Sequence, residues 1–422
     1  MRILFLTQVL PYPLDAGPKV RAYHMLRHLS ARHEVTLVSF VRDDDTPAAI
    51  EHLRGICAAV HTVPIRRSLW RNLRAGIEGV ATGLPVVIAR DEMGEMAETL
   101  RRLTRATPFD VVHADQLSMA GYGRMAVRFS AAQGGPSHGP LGLRPPSAVL
   151  DEHNAVYVLA RRIAQGETGL LRRAFAAREA NAFARYEAAM CRAYDAILTV
   201  TVEDRDRLLA LCPPEDRAAQ AGKFTTVPIC VDPEGTPAVR HQPAAAPTIL
   251  HLGTMFWPPN VAGVLWFARQ VLPLIHRELP AARFVVVGKN PPAEVRGLAA
   301  DPRVEVTGYV ADPAPYLAAA DAFVVPLHAA AGMRVKIVDG WVWGLPIVAT
   351  PIGAEGIAVR DGENILIAED AAAFAAAVLR LLTDPPLNAR LRSAGRAWVE
   401  EKYAWQVAYR QVDDVYSRLR AG

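Results

Sequence analysis

Near-continuous apolar runs, each followed by a helical stretch, recur along this 422-residue chain and restrict what it can fold into. RILFLT at 2–7, EVTLVSF at 34–40, FDVVHA at 109–114 and AILTV at 196–200 read as short strands buried on both faces, as in parallel sheets. The second half repeats the pattern at Thr248–Leu252, Arg283–Val287, Val304–Val306, 322–326 and Ile347–Thr350. Helices are expected between them, from about Val20 to Arg32, Gly169 to Tyr194, Val261 to Leu272 and Pro315 to Ala320, with Thr201 capping one that runs to Leu211. Strand, helix, strand in units of about thirty residues predicts doubly wound α/β sheets. In such sheets ligands bind beyond the carboxyl ends of the strands. Residues 232–247 (DPEGTPAVRHQPAAAP) have the composition of a linker, and 130–146 read as a Gly/Pro-rich excursion. The expected domains are therefore 1–238 and 239–403, both Rossmann-like.

Composition narrows the functional classes. No apolar run approaches about 18 residues, so no membrane-crossing helix is expected, and the start is too short before Pro11 and Pro13 for a secretory signal. A cytoplasmic protein is expected. Cys57, Cys191, Cys212 and Cys230 form no C-x-x-C pair, which argues against a disulfide framework or a zinc site. The net charge of +4 lies wholly before residue 241, an excess compatible with an anionic acceptor or a membrane surface. No nucleic-acid partner is expected. Only five basic residues are lysines, and Lys19, Lys289 and Lys336 fall in loops or helix starts at strand ends.

The stretch His328–Gly356 (HAAAGMRVKIVDGWVWGLPIVATPIGAEG) carries the densest chemistry. Gly332 should open a short helix, Gly344 should supply the left-handed residue at its end, and Pro346 forbids continuation. The first N–H groups of such a helix have no internal partners and lie at the positive end of the backbone dipole, which makes an anion seat. Lys336 and Asp339 stand three apart on one face, an ammonium for phosphate and a carboxylate for hydroxyls, while Val335, Val338 and Val342 fill the buried side. A partly buried Lys/Asp pair that merely supports the helix is the plain alternative. Upstream, Gly17 would let backbone approach a phosphate or simply make a turn. His113 and Asp115 end a strand, where Asp115 would orient or deprotonate a hydroxyl or His113 would be structural. Glu152, His153 and Asn154 gather at another strand end.

Gly332-Met333-Arg334-Val335-Lys336, Trp343-Gly344-Leu345-Pro346 and Gly353-Ala354-Glu355-Gly356 resemble a branch of the family 4 glycosyltransferases. The resemblance implies a GT-B fold, in which two Rossmann-like domains face a central cleft and a C-terminal helix, here 404–422, crosses back to the first. It implies a retaining, metal-independent hexosyltransferase that takes a nucleoside-diphosphate-sugar as co-substrate, without further cofactor. The acceptor would be a glycan or a polyprenyl- or other lipid-linked molecule in cell-surface or exopolysaccharide biosynthesis. The family's two glutamates, seven residues apart, fall here on Ala331 and Asp339, and its arginine and lysine after the first strand of domain two fall on Thr254 and on Pro258-Pro259-Asn260. Arg334 and Lys336 are expected to replace those cations. The implied donor-binding set is Gly17, Lys19, Gly253, Thr254, Lys289, Gly332, Met333, Arg334 and Asp339, with Asp115, His113 and Lys336 catalytic. No metal ligands are expected.

Other readings stay open. A nucleotide-sugar epimerase of the same fold would turn over its donor without acceptor, and a donor-binding protein would not turn it over at all. A nicotinamide-dependent oxidoreductase is disfavoured, because the first strand leads to Pro11, Pro13 and Gly17 and not to G-x-G-x-x-G. Residues 66–80 (RRSLWRNLRAGIEGV) form an amphipathic helix that could touch a membrane surface or dock on its own sheet. Trp405, Ala408, Val412, Val415 and Leu419 form an apolar stripe near the C-terminus.

Overall fold

The computed structural model describes the chain except residues 15–16, 66–68, 133–143, 168, 330–332 and 422, and except the side chains of residues 69, 71 and 421. Gly332 and most of the 130–146 excursion therefore lie outside the described residues. Two compact units emerge. One comprises Met1–Ile229 with Ala408–Gly422, the other Cys230–Val407, so the boundary falls slightly before the linker-like composition.

The first unit holds β1 (Arg2–Thr7), β2 (Glu34–Val41), β3 (Ala59–Pro64), β4 (Val111–Asp115), β5 (Ser147–Glu152), β6 (Ala196–Thr199) and β7 (Phe224–Thr226). Their order across the sheet is β3-β2-β1-β4-β5-β6-β7, parallel at every described pairing. Ile3 pairs with Val35 on one side and Val111 on the other, and Ile3 through Leu6 have no exposed surface. That central place is why β1 has an unbroken apolar run. The sequence gives no such run for β3, because it is a half-exposed edge strand.

The second unit repeats the plan with β8 (Thr248–Leu252), β9 (Arg283–Val287), β10 (Val304–Gly308), β11 (Ala322–Val325), β12 (Ile347–Ala349) and β13 (Leu366–Ile367), ordered β10-β9-β8-β11-β12-β13. In each sheet the strand order reverses at the first strand, between β1 and β4 and between β8 and β11, and ligands of such sheets bind at the carboxyl side of that point. Beyond β11 the helix Val335–Val342 runs into Gly344, whose φ of +73° is the left-handed turn expected there. Its start differs from expectation: Arg334 stands at the N-cap and Val335 opens the helix.

The last helix, Arg410–Ala421, belongs to the first unit. Ala408, Val412 and Val415 are buried, joined by Tyr409 and Tyr416, whereas Trp405 and Leu419 are only half-buried. Tyr409 donates to the Arg21 carbonyl at 3.2 Å, and the Asp413 carboxylate meets His28 at 2.8 Å and Arg32 at 2.5 Å.

Candidate active site

In the first unit the chemistry gathers where β1, β4 and β5 end. Gln116, directly after β4, takes a φ of +73°, uncommon for a residue with a side chain, and hands the chain to the helix Leu117–Ala131. Asp115 is thereby held in the interior with no exposed surface, accepting from His153 Nε2 at 2.8 Å. His153 keeps 10% of its side chain exposed, so the imidazole, and not the carboxylate, is the group of this pair that meets solvent. Burial pushes the Asp115 carboxyl up, and the His153 ring pulls it back in part.

Next to it, Asp151 takes a guanidinium fork from Arg21: Nε lies 2.9 and 3.0 Å from its two oxygens and Nη2 lies 2.7 Å from one of them. Arg21 also donates to the Val227 carbonyl at 2.7 Å. Burial opposes the Asp151 charge, but the Arg21 guanidinium together with the His153 and His113 rings holds the carboxyl below its usual range. Buried pairs of this kind are costly to break, because the surviving charge is left uncompensated. Donor atoms of Asp115, Asp151 and His153 come within 4.8 Å of one another, a spacing a metal ion could use. Arg21 already engages both Asp151 oxygens, however, and His153 already engages Asp115.

The expected catalytic His113 stands under this cluster rather than on it. It is fully buried, stacked on Phe5 with ring centroids 4.3 Å apart, and its Nδ1 lies 2.7 Å from the Tyr416 hydroxyl. Burial lowers it to about 4, so at neutral pH it is an uncharged core ring, 4.0 Å from Asp151. Gly17 opens the helix Gly17–Ser30 beyond β1, and Lys19, half-buried in its first turn, precedes Arg21 on that helix.

In the second unit, the loops after β8 and β9 touch through backbone. A Cβ on Gly288 would lie 1.8 Å from the Gly253 carbonyl, and one on Gly253 would lie 2.9 Å from Lys336 Nζ. Glycine at both places lets the lysine ammonium reach the end of β8. Asn260, buried at the start of the helix Pro258–Trp266, locks it there: its Oδ1 accepts from Lys336 Nζ at 2.7 Å and its amide donates to the Thr254 carbonyl at 2.9 Å. Gly253 and Thr254 are half-buried around this point, and the exposed Lys289 follows Gly288.

Lys336 and Asp339 share the same half-buried helix face. Burial, helped by the Arg334 charge, lowers Lys336 to about 7, and burial raises Asp339 to about 7 against the pull of Lys336. An arriving anion would restore the lysine's charge. Arg334 is buried, with Nη2 3.5 Å from a Glu355 oxygen, and Met333 is buried beside it. His251, in the middle of β8, is a buried neutral ring bonded to the Val324 carbonyl at 3.0 Å. Gly253, Thr254, Lys336 and Asp339 are thus gathered at the carboxyl side of the second sheet, and Asp115 at that of the first. Sequence reasoning left out Arg21, Asp151, His153 and Asn260 as site residues. The DEHN cluster at 151–154 was the visible signal for two of them.

Residues 246–384 match the family described as "Glycosyl transferases group 1". The chain is 28% identical over 189 residues, 43% of its own length and 50% of the relative's, to a phosphatidyl-myo-inositol mannosyltransferase of Mycobacterium leprae. It is 34% identical over 110 residues, 25% of its length and 31% of the relative's, to a lipopolysaccharide core biosynthesis glycosyltransferase of Rhizobium meliloti. The match to these curated relatives thus spans half of their length or less. Similarity of fold extends over the whole chain. Anabaena HepE, solved in complex with UDP and glucose, superposes with a TM-score of 0.65 at 14% identity, covering 99% of this chain and 100% of that one. A sucrose-phosphate synthase of Thermosynechococcus elongatus gives 0.68 at 18% identity, with both chains fully covered.

Proposed function

We propose that this chain, which has the GT-B glycosyltransferase fold and carries a group 1 glycosyltransferase segment at 246–384, transfers a sugar from a nucleoside-diphosphate-sugar to a cell-surface glycan or lipid-linked acceptor. The observation that carries the reading is the Lys336 ammonium, fixed by Asn260 against Gly253 at the end of β8, in the first turn of the helix Val335–Val342. A diphosphate gains negative charge as the glycosidic bond breaks, and fixed cations and N–H donors aimed at that charge lower the barrier. Lys336 supplies the cation, Gly253 the close approach, and Asp339 accepts from donor hydroxyls. Lys289 and Lys19 add positive charge at strand ends.

In the first unit His153, oriented by Asp115, positions the acceptor hydroxyl. The bond from the anomeric carbon to the phosphate oxygen breaks, the acceptor oxygen bonds to that carbon on the same face, and its proton passes to the departing phosphate. Configuration is retained. The Arg21 fork on Asp151 supports a reaction that needs no resident metal, and chelation by EDTA should leave the rate unchanged. Similarity to a phosphatidyl-myo-inositol mannosyltransferase and to a lipopolysaccharide core biosynthesis glycosyltransferase supports an acceptor of the cell surface. Ala331, where the resemblance places a glutamate, favours a second reading in which the chain binds donor without transferring it.

A thermal-shift panel of nucleoside diphosphates and their sugars tests the first step, since a ligand that binds the folded state alone stabilises it by mass action. One nucleotide family should raise the midpoint, with the effect lost in Lys336→Ala. No shift across the panel overturns the reading. A shift without product, across lipid-linked and glycan acceptors, selects the binding-only alternative.

A further inference from the structure

The helix Leu69–Thr82 is packed the wrong way round for a helix that only covers its own sheet. Its inward face is small: Ala75 is 1% exposed, and Gly79 is buried where a Cβ would lie 3.1 Å from Val86. Its large apolar side chains point out, with Trp70, Leu73, Ile77 and Val80 between 58% and 82% exposed. A folded protein normally buries that stripe. The start of the neighbouring helix Leu170–Ala193 does the same, with Leu170, Leu171 and Phe175 between 52% and 88% exposed. The two are held together. Val86, just beyond the first helix, donates its N–H to Glu179 at 2.9 Å, Arg178 donates to the Gly79 carbonyl, and Leu73, Ile77, Val80 and Phe175 line one open groove.

We infer that these two helix segments form one membrane-docking surface that sinks its apolar side chains into a leaflet containing anionic lipid. Charge selects that occupant. In sequence, residues 66–82 carry four arginines against Glu78, and 161–179 carry five against Glu167 and Glu179, of which Arg178 is turned inward onto Gly79 and Glu179. Arg74, Arg172 and Arg173 are exposed around the apolar patch. A second copy docked face to face would set Arg74, Arg172 and Arg173 against their own kind, whereas an anionic headgroup layer neutralises them. An exposed tryptophan with leucines, ringed by arginines, is the composition of an interfacial helix. The surface stands independently of the transferase reading.

The test is co-sedimentation of the full chain with phosphatidylcholine vesicles, with and without phosphatidylglycerol. Binding to the anionic vesicles should be clear, should weaken with salt, and should fall at least about tenfold in Trp70→Ser and in the double variant Leu170→Ser, Leu171→Ser. Both variants change exposed side chains, so unchanged circular dichroism and an unchanged thermal midpoint will accompany the loss. Failure of the unaltered chain to bind either vesicle, or equal binding by the variants, overturns the proposal. So does a concentration-dependent dimer that the variants abolish. Donor-induced thermal shifts should be the same in all three proteins, so failure here is distinguishable from failure of the donor reading.

Discussion

Lys336 shows how one side chain's chemistry is set by its neighbours. Its amine is lowered to about 7 by burial and by Arg334, and Asp339 is raised to about 7 by the same burial. The lysine is charged below that value and neutral above it, and the carboxyl goes from neutral to charged in the same interval. Both changes disfavour an anion as pH rises. The affinity for a nucleoside-diphosphate-sugar, whose diester phosphates do not titrate there, should therefore fall between about pH 6 and about pH 8.5. Isothermal titration will show it, and Lys336→Arg, which keeps its charge, should retain only the part due to Asp339. Lys336→Ala should cost about 2.7 to 4 kcal/mol of transition-state stabilisation, read as a fall in transfer rate of about 10² to 10³. His153 and Asp115 make a different prediction. If they position the acceptor, His153→Gln and Asp115→Asn should lower kcat by about 10² while donor affinity stays unchanged, because a misplaced reactant costs rate rather than donor binding. Equal loss of donor affinity would place them in the donor site instead.

The helix Arg410–Ala421 is stitched into the first unit by polar contacts that local pattern cannot reveal. The apolar stripe that runs into it was legible at Ala408, Val412 and Val415, but Tyr416 meets His113 across 303 residues of sequence and Tyr409, just before the helix, meets Arg21 across 388. No periodicity carries such a pairing. Tyr416→Phe keeps the ring and removes the hydroxyl, leaving the buried His113 Nδ1 without a partner, and should destabilise the first unit by about 1 to 3 kcal/mol in urea unfolding. A change within about 0.5 kcal/mol would mean that the imidazole finds another partner. The strands divide in the same way. β1, β2, β8 and β9 are central or near-central and announced themselves by apolar runs, while β3 and the two-residue β13 lie at sheet edges and left no such mark. Arg21 is the converse case. An arginine at the start of a helix reads as a solvated charge until β5 places Asp151 against it, 130 residues on.

Across the molecule, each sheet repeats one strand order, and this is why the sequence could place Gly253, Lys336 and Asp339 at the carboxyl side of the second sheet. The protonation of the buried acids Glu152 and Glu187 in the first unit was not legible, since burial decides it. Glu152 is 1% exposed and neither carboxyl oxygen has a hydrogen-bond partner among the described residues; Glu187 accepts the N–H groups of Val156 and Tyr157 at 2.6 and 3.0 Å. Burial raises Glu187 to about 8 and raises Glu152 well above its ordinary range, with Glu187, Asp151 and Asp204 adding to the second shift. Both folded-state values exceed the unfolded ones, so the folded chain holds protons that the unfolded chain releases near about pH 4.5. Stability from this source is complete below that pH and is lost as pH rises toward the folded values. Each such acid removes up to about 1.4 kcal/mol per pH unit across that window. Urea midpoints measured at about pH 6 and about pH 8 should therefore fall with pH, and Glu152→Gln, which cannot titrate, should make the fall shallower. Identical slopes in the two proteins would mean that Glu152 holds no extra proton in the folded chain and that its carboxylate is charged in the core.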